Sequence, residues 1–70
     1  MEKEYSYDLY NELGRVKGGK ITEEEYMSVV NRKDIKLKQE WETKYTDRTL
    51  YGKMFVLNEK NKLFIWKEVK

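Results

Sequence analysis

Ile35-Lys36-Leu37-Lys38-Gln39-Glu40-Trp41-Glu42-Thr43-Lys44-Tyr45 decides how the whole chain is read. Ile35, Leu37, Trp41, Thr43 and Tyr45 fall on odd positions, while Lys36, Lys38, Glu40, Glu42 and Lys44 carry charge at every even one. Period-two alternation sends successive side chains to opposite faces, the pattern of a strand with one side buried. Leu37, Trp41 and Tyr45 are also four apart, and Asp34 can cap a helix, so a helical reading competes with the strand. The strand reading leads.

Downstream, after a turn at Thr46–Thr49, come two runs rich in β-branched and aromatic residues, Leu50–Leu57 and Lys62–Val69. Asn58-Glu59-Lys60-Asn61 joins them as a hairpin loop, with Asn61 suited to the left-handed conformation and Gly52 to a bulge. Strands are therefore expected at about 35–45, 50–57 and 62–69. Upstream, Thr22 followed by Glu25 spells a reciprocal capping box, and Ile21 with Tyr26 supplies the hydrophobic staple. Glu23, Glu24 and Glu25 complement the positive helix N-terminus, which predicts a helix over about 23–31. Tyr5, Leu9, Tyr10, Leu13 and Val16 stand at helical spacing, with Ser6 as a cap and Gly14 or Gly18 as a stop, and predict a first helix over about 5–16.

These elements compose a single domain over residues 1–70 of α+β class, two N-terminal helices packed on a three-stranded antiparallel meander. If 35–45 is helical instead, helix–helix–helix–hairpin resembles a winged helix-turn-helix. With an even number of residues in both turns, Leu37, Trp41, Tyr45, Leu50, Met54, Val56, Leu63, Ile65 and Val69 share the face beneath the helices. Tyr51, Lys53, Phe55, Phe64 and Trp66 share the other, with Phe55 opposite Phe64.

Seventy residues bury only about 60% of the unfolded surface. Domains this small commonly add disulfides, a metal or a partner, and with 0 Cys and 0 His the partner is the expected recourse. No cofactor is expected. No apolar run has the length of a membrane span, and Met1–Glu4 is charged with no hydrophobic segment behind it, so the cytoplasm is the expected location. Charge is uneven: residues 1–31 are net −3 and residues 32–70 net +5. The absence of Ala and Pro beside abundant Lys, Glu, Tyr and Asn is the composition of an AT-rich genome, such as a low-GC bacterium or its phage.

Gly14-Arg15-Val16-Lys17-Gly18-Gly19-Lys20-Ile21 nearly spells a phosphate-binding loop, but Ile21 stands where a hydroxyl would hold magnesium. Three glutamates follow it and would repel phosphate, so the stretch reads as a turn between helices. Ser6 and Ser28 have no base beside them, which leaves nucleophilic catalysis without its parts and points away from an enzyme. Gly19-Lys20-Ile21-Thr22-Glu23-Glu24-Glu25-Tyr26 resembles the G-x-I-T-x-E-E-[FY] stretch of SHOCT-type oligomerisation tails and of some small phage proteins. The terminal leucines of that pattern are absent here, and the resemblance implies bacterial or phage origin and no activity.

The expected function is that of a non-enzymatic protein-binding module or inhibitor, encoded by a phage or mobile element. It would act through Tyr51, Lys53, Phe55, Phe64 and Trp66 on a sheet face, or through a strand edge. A self-associating structural protein is a further reading. Nucleic-acid binding is the alternative, through Lys36, Lys38 and Lys44, with Gln39 beside them and Lys60 and Lys62 in a wing, or through bases stacked on the aromatic face. Against it stand the scarcity of arginine (Arg15, Arg32 and Arg48) and the presence of Glu40 and Glu42 in the same surface.

Overall fold

Tyr5, Tyr7 and Leu9 alternate with Glu4, Ser6 and Asp8, and in the computed structural model, which describes residues 2–70, that alternation forms a strand. The elements run β1 (Lys3–Asn11), β2 (Gly14–Ile21), α1 (Glu23–Val30), β3 (Lys36–Lys44), β4 (Thr49–Val56) and β5 (Lys62–Val69). The helix expected over 5–16 is therefore replaced by the β1–β2 hairpin. Its helical spacing depended on Leu13 and Val16, which are 91% and 51% exposed and belong to no buried stripe. The hairpin turns where the Asn11 side-chain oxygen accepts the Leu13 amide at 2.7 Å and Gly14 takes φ +125°. A side chain at that φ is strained, which is why the turn uses glycine.

All five strands join one antiparallel sheet in the order β2-β1-β5-β4-β3. The fold is mostly β, with one short helix among the described residues, and corrects both the two-helix α+β arrangement and the winged helix. Residues 36–44 are extended, so no third helix exists to enter a DNA groove. The β3–β4–β5 meander makes up three of the strands, and β1 adds to the free side of β5. The connection through α1 then carries the chain from the β2 edge to the β3 edge.

The capping box is present: Glu25 N–H donates to Thr22 Oγ1 at 3.1 Å, and Thr22 N–H donates to Glu25 Oε1 at 3.0 Å. It aims α1 across one face of the sheet, where Tyr26 packs on Tyr5 with ring centroids 4.8 Å apart. Tyr5, Tyr26, Phe55 and Ile65 form the core, lined by Tyr7, Ile21, Val29, Val30, Ile35 and Leu63. Ile65, on the central strand, is 0% exposed. Burial pushes the Tyr26 hydroxyl above its ordinary pKa. Burial also raises that of Tyr5, with the Glu23 carboxylate adding to the effect.

Two details of register reassign the faces. In the β4–β5 loop the Asn58 side chain accepts the Lys60 and Asn61 amides, and Leu57 N–H donates to the Asn61 carbonyl. The closing pair is thus Val56 with Lys62, leaving five loop residues and pairing Phe55 with Leu63 and Met54 with Phe64. An odd loop in place of the expected even one moves every β5 side chain to the other face relative to β4. No non-glycine residue among those described has positive φ, so Asn61 is not left-handed. Gly52 sits in regular pairing, and the bulges fall instead in the two edge strands, between Leu37 and Gln39 and between Tyr10 and Leu9 against Arg15 and Lys17.

Candidate functional site

The face of the sheet away from α1 collects, row by row, the residues that the register brings side by side. The first row is Lys36, Val56, Lys62, Tyr10 and Arg15, and the second holds Gln39, Met54, Phe64, Asp8 and Gly18. Trp41, Gly52, Trp66, Ser6 and Lys20 make the third, and Thr43, Leu50, Glu68 and Glu4 the fourth. No segment of the described residues lies over this face.

Aromatic rings occupy its middle. Phe64 meets Tyr10 edge-on at 5.3 Å on one side and Trp41 at 6.2 Å on the other, with Met54 buried among the central strands. The Trp41 indole lies across Gly52, where any Cβ would overlap it. A glycine covered by a cross-strand ring lets that ring lie down on the backbone of the neighbouring strand. Trp41 remains 40% exposed, an unusual position for so large an apolar surface. A cleft of 480 Å³ extends the face at its loop end, between Asn11–Glu12 and Glu59–Lys60, with Tyr10 and Phe64 as its wall.

Charges sit at the two ends. Lys36, Lys62 and Arg15 make the first row basic, whereas Glu4 and Glu68 make the fourth acidic. Several are partnered within the chain: Arg15 with Asp8 at 3.0 Å, Arg48 with Glu68 at 2.8 Å, and Lys20 with Glu4 at 3.9 Å. Gly18 leaves the space that the Asp8–Arg15 pair fills.

Of the five residues expected on a shared binding face, Phe64 and Trp66 lie on the open side. Tyr51, Lys53 and Phe55 lie on the other. Phe55 is 3% exposed in the core, Lys53 is in an ion pair with Glu40, and Lys67 caps the Tyr51 ring at 5.1 Å. The expected nucleic-acid lysines do not form one surface. Lys36 and Lys62 flank Val56 on the open face, Lys38 sits at the β3 bulge, Lys44 is at the far end of that strand, and Lys60 is in a loop 3.9 Å from Glu12. Trp41, Leu50, Met54 and Val56 are the residues of the open face that the even-loop reading put beneath the helices, and Tyr10 is one that the expected first helix hid. The Asn58 acceptor, which closes three residues onto itself, is the local signal for the odd loop.

The strand edges are poor templates for pairing. Both carry a bulge, and β3 adds Lys36, Lys38 and Lys44 while β2 adds Lys17, Lys20 and three glycines. Among the described residues no group of three His, Cys, Asp or Glu side chains could hold a metal ion. No described helix is long and apolar enough to cross a membrane. Compared with family models, curated proteins and solved structures, the chain matches none.

Proposed function

We propose that this chain is a non-enzymatic protein-binding module whose contact surface is the open aromatic face. The observation that carries the reading is the run of rings Tyr10, Phe64 and Trp41, held half-exposed over a five-stranded sheet whose other side packs against α1. Aromatic residues at the centre of a surface, with most of its charge toward the rim, match the composition of protein interfaces. Nucleic acid fits this face less well: its basic row ends at an acidic one, and three of its nearby cations are tied in ion pairs. A polyanion following such a surface meets Glu4 and Glu68 within the same span. We place the module in the cytoplasm, since a chain with 0 Cys draws nothing from an oxidising compartment.

Site-directed photo-crosslinking in cells tests this reading. A photoreactive residue replaces Thr43, exposed on the open face, and in a second variant Met27, exposed on the outer side of α1. Nuclease-resistant adducts from position 43 and not from position 27 are expected. Adducts that nuclease digests, or equal yields from both positions, contradict it.

A further inference from the structure

Resting on the reading of the open face as a docking surface, we infer that its occupant is a second copy of this chain, stacked face to face with its strands reversed. Three observations converge on that partner. The first is area. The chain exposes 5302 Å², whereas a folded monomer of 8.6 kDa is expected to expose about 4,700 Å². Five strands at ~4.8 Å spacing and eight residues at ~3.3 Å give the face a plan area of about 600 Å². Its corrugated accessible surface then approaches the about 800 Å² that each partner contributes to a standard interface. The core is thin as well: Tyr5, Tyr26, Met54, Phe55 and Ile65 are the buried apolar residues among those described. A second sheet supplies the layer that the single short helix does not.

The second observation is the uncharged centre. In a two-fold contact the residues near the axis meet their own copies, so a charge there opposes itself. Here the middle rows carry no charge on β3, β4 and β5, where they are Gln39, Trp41, Met54, Gly52, Phe64 and Trp66. Their two charges, Asp8 and Lys20, lie toward the β2 edge, Asp8 paired with Arg15 at 3.0 Å and Lys20 3.9 Å from Glu4.

The third is complementarity between the ends. A two-fold axis lying between the sheets and across the strands sets β5 over β5 with its direction reversed. The row of Lys36 and Lys62 in one copy then covers the row of Glu4 and Glu68 in the other, with Lys62 over a Glu68 that Arg48 also holds at 2.8 Å, at the shallow angle that two twisted sheets adopt. An axis along the strands would instead stack lysines on lysines. The face is self-complementary in one of the two stackings and not in the other, which selects the reversed arrangement.

Sedimentation equilibrium of the full chain tests this between about 1 and 100 μM, the range in which an interface of standard size associates measurably. A mass of twice 8.6 kDa is expected at the upper end. Lys62→Glu alone and Glu68→Lys alone each weaken association about tenfold or more, and the double variant Lys62→Glu/Glu68→Lys recovers it, because the charge pairing is only exchanged. Met27→Lys leaves association unchanged, and far-UV circular dichroism shows every variant folded. A wild-type chain that stays monomeric throughout overturns the second copy. If Thr43 still yields nuclease-resistant adducts with other proteins, the docking face itself survives that result. A dimer weakened by Met27→Lys and indifferent to Lys62→Glu overturns the docking face together with the face-to-face stacking. A dimer in which the double variant fails to recover overturns the reversed stacking.

Discussion

Gly52 is fixed by its neighbour: the Trp41 indole fills the space where a Cβ would go. Gly52→Ala must therefore displace the ring, and we expect a loss of about 1–3 kcal/mol by urea unfolding, the usual cost of overpacking. Tyr5 and Tyr26 set a different limit. Both hydroxyls are held above their ordinary value of 10.0, chiefly by burial. A raised folded-state pKa contributes stability that is complete below the unfolded value and lost as pH rises through the folded one. The melting temperature should thus hold steady to about pH 9 and fall above pH 10, and Tyr26→Phe should flatten that fall. Asp34 works in the opposite sense. Its hydrogen bonds from Arg32 lower its pKa below 3.8, so what it contributes is present above that value and disappears in stronger acid.

At the scale of elements, the two faces of the sheet differ in what they cost to disturb. Phe55→Ala empties the core beneath α1 and should cost about 3–5 kcal/mol. Phe64→Ala, on the half-exposed side, should cost clearly less; equal losses in chemical denaturation would contradict the assignment of faces. Thr22→Ala removes half of the capping box and should cost about 1 kcal/mol, read from the same curves. That box was legible from Thr22 and Glu25 alone because capping is local chemistry within one turn. The extended state of 36–44 was legible too, since charged residues hold every even position from Lys36 to Lys44 and the apolar alternation breaks only at Gln39, beside the bulge. The β1–β2 hairpin was not read, although Tyr5, Tyr7 and Leu9 already alternate: Leu9, Tyr10, Leu13 and Val16 also satisfy a helical spacing, and in a short stretch the two periods coincide. The faces of β4 and β5 rested on the parity of one loop. One residue decides whether Phe55 meets Phe64 or Leu63, and a single misjudged position carried Phe55 to the wrong side while leaving Phe64 and Trp66 on the open one.

For the molecule as a whole, β1 closes the sheet against β5, and Lys70 N–H reaches the Glu2 carbonyl at 2.9 Å, so both ends of the described chain are tied to the same sheet region. One side of that sheet has a helix and a core. The other has rings, a glycine-backed floor, and charges of opposite sign at opposite ends, which suits it to be half of the proposed two-sheet sandwich. The chain's 2 tryptophans, Trp41 and Trp66, both stand on that side, so intrinsic fluorescence reports on it alone. The most direct measurement is the tryptophan emission maximum of the purified chain as its concentration rises from about 0.1 to 100 μM, spanning the expected association range. A shift to shorter wavelength, tracking the sedimentation mass and weakened by Lys62→Glu, is the expected result. Emission that stays constant while the mass doubles would put the interface elsewhere and contradict the open face as the contact surface.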